Sequence, residues 1–169
     1  RGSAREVASK YSKLFLGESV DTPNASTENE KRWGDGALQV SKIDLSCKVF
    51  TNDKKISFSE TITANIDVAD PVAGFLIKNA SGESILGTNT RIKKKELSPM
   101  KKGEKIIIEW ELDNLLSDGE YYIDPAIVYG NSGTDIADWW EDAVKFTVRK
   151  EEQVPYLINP EISIKISTK

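Results

Sequence analysis

The sequence predicts an all-β chain, an immunoglobulin-like antiparallel β-sandwich, and three observations carry that reading. Between Leu38 and Val148 the apolar residues recur with a period of two, in short runs. Turn-forming clusters such as Asp70-Pro71 and Asn79-Ala80-Ser81-Gly82 punctuate those runs. Asp118-Gly119-Glu120-Tyr121 has the form of a tyrosine corner, in which the hydroxyl returns to the backbone a few residues upstream.

The chain opens differently. Arg1-Gly2-Ser3 has the look of a tag remnant. Val7, Tyr11, Leu14 and Phe15 then fall on one stripe of a short helix over residues 4–16, with Gly17 as its stop. Glu18 to Lys31 is polar and reads as a linker. Residues 1–31 are therefore expected to join the sandwich of residues 32–150 to an upstream domain that this sequence lacks.

Leu38 and Val40 share one face of the first strand, whereas Ile43, Leu45, Cys47 and Val49 share a face of opposite parity. That switch near Ser41-Lys42 predicts a bulge or a bend between two strands. Ile62, Ala64, Ile66 and Val68 alternate with polar residues as a half-buried strand should. Gly74 to Lys78 and Ser84 to Thr90 follow as neighbours, with Leu76 and Lys78 outward. Ile92 to Gly103 reads as a lysine-rich solvated loop. Ile106, Ile108, Trp110 and Leu112 share the inner face of the next strand, which makes Trp110 core rather than a ligand platform. Tyr121 is structural on this reading and Tyr122 points the other way. Val144, Phe146 and Val148 line a last core strand. Asp135, Asp138, Glu141 and Asp142, after Gly130-Asn131-Ser132-Gly133, read as a solvated acidic loop.

Residues 151–169 form a linker with Pro155 and Pro160, then a strand in which Ile162, Ile164 and Ile166 alternate with Ser163, Lys165 and Ser167. Such a strand must pair with an edge, in its own sandwich or a partner's. Exchange within a homodimer is the favoured reading.

Composition narrows the chemistry. With 38% apolar and 30% charged residues the chain has an ordinary globular balance, which argues against wholesale disorder. A net charge of −4 offers no global basic field for nucleic acid or anionic lipid. There is no histidine to activate Cys47 or to complete a catalytic triad, and no P-loop, HExxH or paired CxxC. No cofactor, metal site or catalytic residue is expected. Carboxylates are plentiful, but no spacing singles out the pair a glycosidase needs. What remains is a set of aromatic and amide groups suited to sugars, whose C–H faces and hydroxyl edges favour such partners. The candidates are Tyr122 and Asp124, Leu76 and Lys78, Asn89, Tyr129, and Trp139 with Trp140. The two tryptophans cannot both face inward on an extended chain.

Arg32-Trp33-Gly34-Asp35-Gly36, Asp70-Pro71-Val72-Ala73-Gly74-Phe75-Leu76-Ile77-Lys78, Gly87-Thr88-Asn89-Thr90, Gly119-Glu120-Tyr121-Tyr122-Ile123 and the stretch from Trp140 to Val148 occur in that order. Across residues 32–149 the series resembles the C-terminal domain of Wzt-type ATPase subunits of polysaccharide ABC exporters. The resemblance implies a cytoplasmic, non-catalytic carbohydrate-binding module at the inner face of the cell membrane, serving export of O-antigen, teichoic acid, rhamnan or a similar lipid-linked glycan. It implies an ATPase domain upstream, through which a membrane-spanning transporter subunit is engaged, and a homodimer made by exchange of a C-terminal strand. A structural or dimerisation sandwich without glycan contact is the alternative. No binding residue is transferred from the family.

Overall fold

The structure is a computed structural model that describes residues 31–52, 54–130 and 135–167. The expected helix over residues 4–16 and the linker up to residue 30 lie outside the described residues. Among the described residues ten strands follow one another: β1 (Arg32–Trp33), β2 (Leu38–Leu45), β3 (Val49–Phe50), β4 (Ile56–Ala64), β5 (Val72–Asn79), β6 (Ser84–Asn89), β7 (Lys105–Leu112), β8 (Gly119–Tyr129), β9 (Asp135–Trp140) and β10 (Val144–Val148).

They form two sheets, as the alternation predicts. The smaller has the order β2-β4-β7, all antiparallel. The larger is built on the long β8. One side of β8 carries β5 and then β6. The other side carries β9 along Ala126 to Tyr129 and β10 along Gly119 to Ile123. Beyond these lie β1, antiparallel to β9, and β3, parallel to β10.

Several boundaries differ from the sequence reading. The parity switch is a bulge inside one strand, with the register shifting between Val40 and Lys42. Ile43 and Leu45 remain on β2, but the chain then crosses to the larger sheet, so Phe50 is buried and Val49 is half exposed. The strand expected around Ile62 to Val68 begins earlier and ends at Ala64; Ile66 is outside it and 49% exposed. Pairing to both β2 and β7 fixes that strand's length, which local alternation does not reveal. Asp135 and Asp138 belong to β9 rather than to a solvated loop, and Asp138 is buried.

The core fills two adjoining clusters. One gathers Leu38, Val40, Ile62, Ala64 and Ile127; the other gathers Phe50, Phe58, Phe75, Ile77, Ile123 and Phe146. Tyr121 is buried and its hydroxyl donates to the Ser117 carbonyl at 2.9 Å, which is the tyrosine corner. Trp110 packs edge-on against Phe75, as a core residue. Glu60 sits on β4 between Phe58 and Ile62 and is fully buried. One of its carboxyl oxygens accepts the Trp110 indole N–H at 2.9 Å, and the other has no hydrogen-bond partner among the described residues. Burial pushes the Glu60 pKa up to about 8, with the Asp138 charge adding to the shift and the Trp110 bond opposing it.

After β10 the chain is held by backbone contacts between Leu115–Ser117 and Leu157–Asn159. It then extends with Ile162, Ile164 and Ile166 at 76%, 79% and 87% exposure, in no strand pairing among the described residues.

Candidate functional site on the outer face of the larger sheet

Strand alternation gives the larger sheet an inner face on the core and an outer face towards solvent. The pairing register lays one transverse row across five strands of the outer face. Trp33 of β1 opposes Trp139 of β9, which opposes Ala126 of β8, then Gly74 of β5, then Asn89 of β6. The two indoles stack with centroids 5.4 Å apart and planes 13° from parallel. Beside them the row drops to Ala126 and Gly74, whose side chains are too small to cover the flank of Trp139. Asn89 closes the far end.

The neighbouring row runs Asp124, Leu76, Gly87. A Cβ on Gly87 would lie 2.4 Å from Leu76 Cδ2, so the glycine makes room for the leucine to lie across it. A Cβ on Gly74 would lie 2.6 Å from the Thr88 carbonyl oxygen and 2.8 Å from Asn89 Cβ. Asn89 Oδ1 accepts the Ile92 N–H at 2.8 Å, and its amide nitrogen makes no hydrogen bond to a described residue. In the third row Tyr122 lies between Lys78 and Lys145.

An ion cluster stiffens this face where β9 gives way to β10. Lys78 Nζ is 2.5 Å from Asp124 Oδ2 and 3.0 Å from Asp142 Oδ1. Asp124 Oδ1 accepts the Asp142 backbone N–H at 2.6 Å, and Lys31 Nζ reaches Asp142 Oδ2 at 2.9 Å. Asp142 itself has a φ of +51°, in the left-handed region. Burial works against the Lys78 charge, yet the Asp124 and Asp142 carboxylates outweigh it and hold the ammonium pKa above its ordinary value. Burial likewise raises the Asp124 carboxyl, against the pull of Lys78.

Six of the eight sequence candidates thus share one face: Leu76, Lys78, Asn89, Tyr122, Asp124 and Trp139. Lys78 and Asp124 are buried in each other's company rather than open to solvent. The other two lie elsewhere. Trp140 and Tyr129 pack against the first core cluster. The Arg32 guanidinium lies over the Trp140 ring at 4.5 Å and chelates Asp138 through Nε and Nη2 at 2.8 and 2.6 Å. Asp138 also accepts the Val40 N–H at 2.7 Å, which ties the two sheets together. The Tyr129 hydroxyl donates to Asp35, a bond that pushes its pKa up to about 12.

Sequence reading missed Trp33, Ala126, Gly74 and Gly87 as parts of the face, and Asp142 as the partner of Lys78. Their places depend on cross-strand register. The one signal in the sequence was the adjacent pair Trp139-Trp140, of which one must face outward on an extended strand.

The sequence profile of a family described as the Wzt C-terminal domain matches residues 29–157. No curated protein matches the chain. Among solved structures it is similar to the C-terminal domain of Wzt, with a TM-score of 0.74, 22% identity, and coverage of 86% of this chain and 93% of that one. Weaker likeness extends to a Niemann-Pick type C2 protein from the Japanese carpenter ant, at TM-score 0.46 and 15% identity over 68% of this chain and 93% of that one. A CARDB domain from Pyrococcus furiosus gives TM-score 0.41 and 15% identity over 68% and 94%.

Proposed function

Because this chain belongs to the Wzt C-terminal domain family, we propose that it is a non-catalytic carbohydrate-binding module of an ABC exporter. Its ligand is a lipid-linked cell-surface polysaccharide, taken on the outer face of the larger sheet. The wider setting is that of the family: an ATPase domain upstream, a membrane-spanning transporter subunit contacted through it, and a cytoplasmic location.

The observation that carries this reading is the row from Trp33 through Trp139, Ala126 and Gly74 to Asn89. An aromatic wall rises beside a floor of small residues with an amide at its far end. A pyranose ring can rest its C–H face on the Trp139 indole and meet the free amide nitrogen of Asn89 with a hydroxyl. Leu76 supports an apolar substituent, and the Tyr122 hydroxyl offers a second polar edge. The Lys78–Asp124–Asp142 cluster holds the floor in place and leaves the neutral centre of the face to the sugar.

Titration with the host's surface polysaccharide, followed by tryptophan fluorescence or by broadening of glycan NMR lines, tests the proposal. The Trp139→Ala variant is expected to bind at least tenfold more weakly than the parent chain. No response at about millimolar repeat units, where even weak ligands register, overturns glycan binding. An unchanged affinity in Trp139→Ala moves the site off this face.

A second property has its own support. β7 is an edge strand of the smaller sheet, and its inward Ile106, Ile108, Trp110 and Leu112 are only half-buried. A groove of about 650 Å³ runs beside it, lined by Leu97, Pro99, Met100, Ile106 and Ile108 among others. Isoleucines 162, 164 and 166 have the alternation to pair with that edge and cover that groove. The chain therefore forms a homodimer in which each copy lends its C-terminal strand to β7 of the other. Such an exchange would give the chain a dimerisation role that stands without glycan binding.

A further inference from the structure

The lysine-rich loop after β6 is held in a defined turn. Asn89 anchors it: its Oδ1 accepts the Ile92 N–H at 2.8 Å and its carbonyl accepts the Lys93 N–H at 3.1 Å. The Lys94 N–H donates to the Arg91 carbonyl and the Lys95 N–H to the Thr90 carbonyl, at 3.0 and 2.8 Å. Lys94 takes a left-handed φ of +55°, which reverses the chain at the tip.

What the turn displays is unusual for this chain. Arg91, Lys93, Lys94 and Lys95 are all exposed, and Ile92 in their midst is 67% exposed. Four of the chain's 23 cationic residues fall within five positions that hold no acid, although acids outnumber bases with 27. None of the four forms an ion pair with a described residue. Lys31, Lys42, Lys55, Lys78, Lys101 and Lys145 each have a carboxylate within 3.0 Å. Other described lysines without an ion pair, such as Lys48, Lys105 and Lys165, stand singly in the sequence, whereas here four unpaired cations crowd one tip around one apolar side chain.

We propose that the Arg91–Lys95 turn is a docking point for an anionic lipid bilayer surface. Unpaired cations meet the negative potential of the headgroups, and each Lys or Arg near such a surface strengthens binding roughly fivefold. Ile92 enters the interface between them, where its side chain leaves water. A soluble polyanion would meet the cations equally well, but it offers no apolar layer for Ile92. That residue is what favours the bilayer. The inference stands apart from glycan recognition, since no residue from Arg91 to Lys95 belongs to the proposed sugar face.

Co-sedimentation with vesicles tests it. The full chain is expected to bind vesicles of mixed phosphatidylglycerol and phosphatidylcholine and not vesicles of phosphatidylcholine alone. Raising the salt to about 0.5 M should release it as screening shortens the reach of the charges. The triple variant Lys93→Glu, Lys94→Glu, Lys95→Glu should bind at least tenfold more weakly with an unchanged circular dichroism spectrum. Ile92→Ser should weaken binding severalfold at constant charge. Equal binding to neutral vesicles, which the isoleucine tail would produce, overturns the proposal. So does a charge-reversed variant that binds like the parent. Full competition by polyphosphate, together with unchanged binding of Ile92→Ser, would identify a soluble polyanion as the partner and likewise overturn it.

Discussion

Lys78 of β5 and Asp124 of β8 form an ion pair of 2.5 Å on the solvent side of a sheet, yet both are almost wholly buried. Asp142, delivered by a left-handed kink between β9 and β10, closes the pair from above and accepts a second contact from Lys78. The three residues come from distant stretches of sequence, and together they tie β5, β8 and the β9–β10 connection to one another beside the neutral centre of the proposed sugar face.

Removing the cation should therefore cost more than losing a surface salt bridge. Lys78→Met leaves the buried Asp124 carboxylate without its cation and facing Asp142, which keeps the half-exposed Lys31, and is expected to destabilise the fold by about 3–5 kcal/mol. Urea unfolding measures this. A loss under about 1 kcal/mol, the range of exposed pairs, would mean that the cluster is solvated in solution.

Glu60 should impose a pH dependence opposite to that of a paired carboxylate. In the fold its pKa is raised to about 8, against an ordinary value of 4.5. Between those limits the folded chain keeps a proton that the unfolded chain has released. Stability then falls as pH rises through this window, by at most about 1.4 kcal/mol per unit, and levels off above it. Glu60→Gln keeps an acceptor for Trp110 and cannot ionise, so its profile should be flatter and its stability at pH about 8 higher than the parent's. A shared slope in parent and variant refutes the assignment.

Asn89→Ala removes the side-chain acceptor for Ile92 N–H. The cost expected is about 1 kcal/mol, as for other side-chain caps of backbone donors. The clearer readout is trypsin, which should cut after Arg91 or Lys93 several times faster once the turn is released. An unchanged cleavage rate would show that the backbone bonds hold the turn unaided.

Gly74→Ala places a methyl against the Thr88 carbonyl and Asn89 Cβ. Backbone stands in the way, so β5 and β6 must separate, at about 1–3 kcal/mol. Denaturation gives the cost. Full stability in this variant would show that the two strands are less closely joined than their register implies.

Deleting Pro160 to Lys169 should convert dimers into monomers, as judged by sedimentation equilibrium, and leave the core intact because Leu157–Asn159 still close onto Leu115–Ser117. Dimers that survive the truncation would refute strand exchange.

Most of the fold was legible because alternation is a local property. Leu38, Val40, Ile62, Phe146 and Val148 announce their burial by parity alone, and Tyr121 by the corner that precedes it. Reading failed where the chain changes sheets. Val49 continues the parity of Leu45, but β3 belongs to the other sheet and turns Phe50 inward instead. It failed again at Asp138, whose acidic surroundings suggested a solvated loop while a distant arginine held it in the interior.

The Gly87 to Arg91 stretch shows the same division. Sequence pointed to Asn89 as a polar group near a sugar. In the folded chain its neighbours also do separate work, because Gly87 admits Leu76 and Thr90 ties the following turn to Ala73. Asn89 itself anchors that turn, and Arg91 begins the cationic tip.

By itself the sequence determined that the chain folds as a sandwich, which residues line most of its core, and that it contains no histidine. It also set the alternation of Ile162, Ile164 and Ile166, which are exposed and lie in no strand among the described residues. Tertiary structure alone decided that Trp33, Trp139, Ala126, Gly74 and Asn89 form one row, and that Lys78 spends its charge on Asp124 and Asp142. The physical reason is that burial follows from alternation along one strand, whereas a site on a sheet is made across strands. Cross-strand neighbours are set by register, and register is fixed when bulges, turns and two packed faces are satisfied together.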